Sequence, residues 1–288
     1  MDDIVSKTFT PLPQRRVSIS EASLTGPEPV FEKPEVQRDP NLMDVQLPSL
    51  FHFYDFKSLS VKPIRGVHQA KFARAAKEKS NRHMADAISS LLPDNASAYD
   101  LTLPDYYWLL YYLRLNCYTK SALVHRAVCS NPEHVLQVAK GEKDRETLVN
   151  VTTVTKTLLK DTEFKANTLE LLDSDHIVSL REQGFELTPT RVRDIVELES
   201  MYSDEESFVE VEYLADFAGF IRSVQNPGMS LNDRIEVVKS LSPDALSLIE
   251  DYRSLVSNYG VEETISMTCT ECSAEIKTTV SISAHSFL

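Results

Sequence analysis

Two short cysteine turns constrain what this chain can fold into more than any other feature of its sequence. AVCSNPEHV occupies residues 127 to 135 and MTCTECSAEI occupies residues 267 to 276. In each, a cysteine in a polar turn separates two strand-like runs. The chain has only four cysteines, and three of them lie in these two turns. We therefore expect the fold to bring the two turns together, although they lie far apart in the sequence.

The residues in these turns have the chemistry and spacing of zinc ligands. Zinc favours tetrahedral coordination by thiolate and imidazole, and a Cys-x2-Cys turn can supply two of the four ligands. Cys269 and Cys272 have this spacing, and the first turn offers Cys129 and His134 as a Cys-x4-His pair. Together they predict a Cys3His site formed by two halves of one split zinc ribbon. The metal would tie the end of the chain to its middle.

Two alternatives stay open for these turns. His125, close to Cys129, is a rival for the fourth ligand, although a histidine on a strand is more often a surface or core residue. The turns could also be ordinary hairpins with unmodified thiols. Cys117 falls in an aromatic helix and is expected to be a small core residue. A site with four protein ligands has no position for water, so the predicted zinc is structural.

Length, composition and charge restrict the class of protein. At 288 residues the chain can bury a core without disulfides, and no apolar run approaches the roughly 20 residues that span a bilayer. The N-terminus lacks the pattern of a signal peptide, so we expect a cytoplasmic protein with no membrane partner. The net charge of -13 disfavours nucleic acid as a partner. However, residues 62 to 82 are strongly basic and residues 194 to 216 strongly acidic.

The order of sequence patterns predicts an α+β fold, in which β-hairpins form a split zinc-ribbon-like unit. Proline-rich residues 1 to 50 are interpreted as an extended arm, either disordered or lying along a neighbouring subunit. Its anchors would be Phe9, Val17, Ile19 and Phe31. The remaining predicted units are a basic helical segment at 51–103, a core helix plus the zinc-stapled β unit at 104–160 and 259–288, and a helical insert at 161–258.

Within these units the periodicity predicts individual elements. One helix is expected from about His68 to Leu91 and a second, buried one from Pro104. The pattern predicts strands in residues 122 to 159, including HVLQVA. It also predicts strands in ETISMTC and AEIKTTVSIS, near the end of the chain. Further helices are predicted after an N-cap at Thr188, across 206–224, after Ser230 and after Ser242.

Signals for catalysis are few. The sequence contains no H-E-x-x-H motif and no glycine-rich phosphate loop. The segment DSDH at 173 to 176 places carboxylates beside a histidine, but a solvated helix start explains it at least as well. We therefore expect a protein that is not an enzyme, and a zinc hydrolase ranks last among the candidate functions.

Several segments, taken in order, resemble one known family. They are LTLPDYYWLLYYLRLNCY, the first cysteine turn, FELTPTRVRDIVELES, MSLNDRIEVVKSLSPDALSLIEDY, YGVEETISMTCTECSAEI and the terminal SFL. In this order they resemble the baseplate hub and hub assembly proteins of contractile-tailed, T-even-like bacteriophages, over roughly residues 100 to 288. The resemblance implies a non-catalytic virion or assembly protein, present in the host cytoplasm during assembly or in the tail baseplate, that contacts other hub and tail proteins. Family members typically carry a C-x2-C pair at the first turn as well, and here Cys129 is followed by His134 instead.

Two hypotheses on partners follow. The acidic stretch is either a solvated helical face or a docking surface for a basic neighbour, such as segment 62–82 of a further copy. Its candidate contact residues are Glu205, Glu206, Glu210 and Glu212. The alternative function, from another class, is a zinc-ribbon nucleic-acid-binding regulator that uses the basic stretch on phosphates.

Overall fold

The computed structural model describes residues 42–118, 123–139, 146–151, 154–172, 174–201 and 208–288. These residues combine helices with short antiparallel strand pairs, in agreement with the α+β class predicted from the sequence. The predicted arm of residues 1 to 50 falls almost entirely outside the described residues. A membrane-spanning helix would need a longer apolar stretch than any described helix provides.

The described chain begins with a strand pair and two helices. Strand β1 (Met43–Val45) pairs antiparallel with β2 (Leu59–Val61), and helices α1 (Gly66–Glu78) and α2 (Asn81–Ser89) follow. The single helix predicted over 68–91 is therefore wrong. Lys79 adopts a left-handed conformation with φ of 49°, and the Ser80 side chain accepts a hydrogen bond from the His83 N–H, which starts a new helix.

Helix α3 (Leu103–Asn116) forms the centre of the largest hydrophobic core. As predicted, the helix starts near Pro104, which lies in its first turn together with Asp105. Tyr106 and Tyr111 are buried, whereas Tyr107 is 42% exposed, so the aromatic side chains of this helix lie only partly in the core. The Tyr111 hydroxyl donates a 2.6 Å hydrogen bond to the backbone oxygen of Val280, which joins α3 to the end of the chain.

The middle of the chain contains β3 (Leu123–Val128), α4 (Pro132–Ala139) and β4 (Glu146–Val151), with β3 and β4 antiparallel. The strand predicted for HVLQVA is therefore a helix. Its apolar residues recur at spacings of one, three and four, which also fit a helical face. Asn131 and Pro132 decide the outcome, because the Asn131 side chain caps a helix that begins at the proline.

The insert contains the remaining helices and one further strand pair. Ser230 and Ser242 are helix N-caps, as predicted. Thr188 is not an N-cap, because the helix that follows it begins only at Val192; the Thr188 N–H pairs with the Phe220 oxygen at 2.9 Å and extends a strand pair. The elements of the insert are α5 (Asp161–Leu172), α6 (Asp175–Glu182), β6 (Phe185–Leu187), α7 (Val192–Met201), α8 (Phe208–Ala218), β7 (Ile221–Ser223), α9 (Leu231–Lys239) and α10 (Pro243–Val256).

Three strands near the end of the chain pack against its middle, and a 3-10 helix (Ala284–Phe287) follows them. Strand β5 (Thr155–Thr157) pairs with β8 (Gly260–Glu262), and β9 (Thr264–Thr268) forms a hairpin with β10 (Glu275–Thr279). The inner face of this hairpin meets the inner face of β3 in two small apolar clusters. This packing places the tip of the β9–β10 hairpin beside the end of β3.

Candidate metal centre

The structure brings the four predicted ligand residues together. One ligand atom from each of Cys129, His134, Cys269 and Cys272 lies within 4.8 Å of all the others. The Cys129 and Cys272 sulfurs are 3.6 Å apart, and the Cys269 sulfur is 3.5 Å from Nδ1 of His134. This cluster can hold a metal ion.

Four different elements position these side chains. Cys129 directly follows β3, and His134 lies in the first turn of α4. Cys269 directly follows β9 and Cys272 occupies the hairpin turn. The turn is closed by a 2.8 Å hydrogen bond from the Cys269 N–H to the Ala274 oxygen. The site therefore depends on tertiary packing of the hairpin against β3 and α4.

The cluster is largely shielded from solvent. Cys129, Cys269 and His134 are each 1% exposed, and Cys272 is partly exposed. Nε2 of His134 is buried without a hydrogen-bond partner among the described residues. The other ring nitrogen, Nδ1, faces the Cys269 sulfur at 3.5 Å, so Nδ1 is the atom placed to act as a ligand in this cluster.

Backbone N–H groups favour a thiolate at one cysteine. A hydrogen bond from the Glu271 N–H, aided by the Cys272 N–H and opposed by burial, lowers the pKa of the Cys269 thiol to about 6. At Cys129 the Asn131 N–H acts in the same direction, but burial and the neighbouring thiols outweigh it and raise the pKa. The cluster thus accommodates one thiolate, at Cys269, and a bound cation would stabilise further thiolates beside it.

The two cysteine turns are not equivalent, which corrects the expectation of two hairpins. The second turn connects the strands of a hairpin, whereas the first connects strand β3 to helix α4. His125, the rival fourth ligand, lies on β3, where its Nε2 is 3.0 Å from the Thr278 hydroxyl. Cys117 is buried in the main core, 3.9 Å from the Met43 sulfur, as expected of a core residue.

The predicted partner-binding residues fall mainly outside the described part of the chain. This is the case for Phe9, Val17, Ile19, Phe31, Glu205 and Glu206. Glu210 lies in α8, and Glu212 is exposed on the same helix. In the basic stretch, all seven Lys and Arg side chains between 62 and 82 are exposed. Asp173 of the DSDH segment lies outside the described residues, and the segment leads into α6.

Sequence reasoning did not find the role of Asn131. Its side chain approaches the cluster, with Nδ2 3.8 Å from the Cys272 sulfur, while Oδ1 accepts a hydrogen bond from the Glu133 N–H. An asparagine directly before a proline is a sequence signal for a helix start, and Asn131–Pro132 has this pattern. Because a strand was predicted for HVLQVA, the sequence analysis did not use this signal.

In comparisons with known proteins, no family model, curated protein or solved structure matches this chain.

Proposed function

We propose that this protein is a non-catalytic structural or assembly component of a phage tail baseplate hub, stabilised by Zn2+ in its Cys3His cluster. Four ligand atoms gathered within 4.8 Å are the observation that supports the metal. The resemblance of residues 100 to 288 to hub and hub assembly proteins supports the biological role. Its partners would be other hub and tail proteins or further copies of itself.

The distances in the cluster suit zinc. Zinc–sulfur bonds of about 2.3 Å and zinc–nitrogen bonds of about 2.0 Å give tetrahedral edges of about 3.8 Å between two sulfurs and about 3.5 Å between sulfur and nitrogen. Two of the six separations, 3.6 Å between the Cys129 and Cys272 sulfurs and 3.5 Å between the Cys269 sulfur and Nδ1 of His134, are close to these edges, and all six lie within 4.8 Å. Three thiols and one imidazole form a donor set that favours zinc over hard, oxygen-preferring cations.

A zinc ion with four protein ligands acts on stability. Such a site leaves no coordination position for a substrate or for a reactive water. It would join the residues after β3 to the β9–β10 hairpin, which is connected to the core through the Tyr111–Val280 hydrogen bond. A rigid attachment of this kind suits a subunit that must hold its shape among neighbours in a large assembly.

The separation of charge on the surface suits a protein that docks with others. One short segment carries seven exposed basic side chains, namely Lys62, Arg65, Lys71, Arg74, Lys77, Lys79 and Arg82. In the acidic stretch at 194 to 216, Glu212 and Asp216 are exposed among the described residues, whereas Asp194 is buried and paired with Arg234. The chain as a whole is acidic. Surfaces of opposite charge steer partners into a defined orientation.

The second candidate is a zinc-ribbon nucleic-acid-binding regulator. The exposed basic segment is the observation that favours it, because clustered Lys and Arg bind phosphates. The net charge of -13 opposes it. A titration with DNA and RNA separates the candidates: binding that falls steeply from low to high salt supports the regulator, and no binding at either salt supports the hub component.

Elemental analysis of the purified protein tests the metal. We expect one zinc per chain, lost or weakened in Cys129→Ser, His134→Ala and Cys272→Ser, with Cys117→Ser as a control that retains it. Protein prepared without chelator that contains no zinc would contradict the proposed site.

Co-expression with the tail and hub proteins of the same phage tests the assembly role. We expect a stable complex to co-purify, and its amount to fall in the zinc-ligand variants. Absence of any complex with these proteins would contradict the hub assignment while leaving the metal site intact.

A further inference from the structure

Asn131 contacts both halves of the cysteine–histidine cluster. Its Nδ2 lies 3.8 Å from the Cys272 sulfur, on the hairpin side. Its Oδ1 accepts a 3.1 Å hydrogen bond from the Glu133 N–H, and its backbone oxygen accepts a 2.9 Å bond from the Val135 N–H, both in α4. One residue thus connects the second turn to the start of the helix that carries a ligand.

The position of Asn131 in the chain allows these contacts to affect the orientation of the ligand residues. It stands between Cys129 and His134, and helix α4 begins at the next residue, Pro132. Since capping sets where a helix starts, Asn131 determines which way His134 projects from the first turn. Its N–H also donates to the Cys129 sulfur.

We infer that Asn131 is a positioning residue of the metal centre, whose amide orients a thiolate of one turn and the ligand helix of the other. The inference rests on the metal site proposed above. Groups that hydrogen-bond to metal ligands fix ligand orientation, and losing one typically weakens metal affinity by about 10–100-fold.

Asparagine is suited to this position because its side chain both donates and accepts hydrogen bonds. An aspartate would cap α4 equally well, but it would offer only acceptors and a negative charge to the thiolates. A serine would also cap the helix, but it is too short to place a donor near the Cys272 sulfur. Substitution by serine therefore keeps the helix cap and removes the contact with the Cys272 sulfur, so the two roles of Asn131 can be tested separately.

The experiment compares Asn131→Ser and Asn131→Asp with the wild-type full-length chain. Zinc affinity is measured by competition with a chromogenic chelator, and the geometry of the site is followed by the thiolate-to-metal charge-transfer bands of the Co2+-substituted protein. Ser230→Ala serves as the matched control, because Ser230 caps α9 through the Asp233 N–H and the control variant leaves the cluster unaltered.

We expect both variants at Asn131 to raise the Kd for zinc by about 10–100-fold, the Asp variant more strongly, and to shift the cobalt bands. Ser230→Ala should lower the Tm with zinc affinity unchanged. Wild-type affinity and spectrum in Asn131→Ser would overturn the inference, even if Asn131→Asp binds weakly, because repulsion alone would then explain the Asp result. A wild-type protein that takes up neither metal would overturn the proposed metal site, and the role of Asn131 with it.

Discussion

The sulfur atoms of Cys129 and Cys272 lie 3.6 Å apart although 143 positions separate them in the sequence. The separation exceeds the roughly 2.05 Å of a disulfide bond, so the two residues are in contact without being joined. This approach of a buried and a partly exposed thiol, with Cys269 and His134 alongside, requires the last hairpin to pack against the middle of the chain. A metal ion at this point would close a very long loop and stabilise both ends of it.

Removal of the metal is therefore expected to lower stability. A ligand present at about 1,000 times its Kd stabilises the folded state by about 4 kcal/mol, which corresponds to a Tm change of about 8–16 °C in a protein of this size class. We expect a decrease of this order on chelation, measured by differential scanning calorimetry and reversed by added zinc. The Cys272→Ser variant should start at the lower Tm and respond little to chelator. An equal response in the variant would contradict a site at this residue.

Asp105 provides a prediction for the pH dependence of stability. This carboxyl is fully buried, accepts hydrogen bonds from the Ser49 N–H at 2.9 Å and the Tyr54 hydroxyl at 2.7 Å, and its pKa is raised by burial. A carboxyl whose pKa is raised on folding contributes its stability fully below the unfolded pKa of about 3.9 and loses it as the pH rises through the folded pKa.

Asp105→Asn removes this titration and keeps an oxygen that can accept from Ser49. The free energy of unfolding of the variant should therefore increase relative to that of wild type as the pH rises above about 4, because only wild type loses stability there. Urea denaturation at several pH values measures it, and a constant difference across the series would contradict the prediction. Asp105→Ala also removes the titration but leaves the buried Ser49 N–H without an acceptor, so it should be about 1–3 kcal/mol less stable than Asp105→Asn at each pH.

The buried ion pair between Arg234 and Asp194 links α9 to α7. The guanidinium donates to the Asp194 carboxylate at 2.5 Å and to the backbone oxygens of Ala218 and Ile221 at 2.8 Å and 3.1 Å, and both charged side chains are less than 5% exposed. Arg234→Ala should cost about 3–5 kcal/mol, because it leaves a buried carboxylate without its cation.

The matched control for this pair is Arg74→Ala. Arg74 pairs with Glu78 at 3.0 Å, but both side chains are well exposed, so the loss should stay within about 0.5 kcal/mol. Urea denaturation compares the two variants. Equal losses in both would contradict a special role for the buried pair.

The acidic stretch gives a prediction for assembly. Replacing Glu205, Glu206, Glu210 and Glu212 by Gln should weaken complex formation with a basic partner, and the difference from wild type should shrink as salt screens the charges. Sedimentation velocity at low and high ionic strength measures it. The control neutralises four exposed acids elsewhere, namely Asp175, Glu182, Glu186 and Glu262. Equal weakening by both sets would indicate an effect of net charge alone.

Local signals in the sequence predicted several elements correctly. The helix at Pro104, the N-caps at Ser230 and Ser242 and the final strand pair depend on residues close in sequence. The break at Lys79 was missed, because the polar run KEKSN fits a solvated helix as well as a turn. HVLQVA was assigned to a strand because a short apolar run fits both periods, and the cap at Asn131 decides between them.

The sequence by itself determined which residues are able to bind a metal, because thiolate and imidazole chemistry belongs to the side chains and their short spacings. For the fourth ligand, however, the sequence left His125 open as an alternative to His134. The tertiary structure decided between them, since β3 turns His125 toward Thr278 and α4 carries His134 to Cys269. Contacts between residues far apart in sequence depend on how strands and helices pack, and no local pattern records that packing.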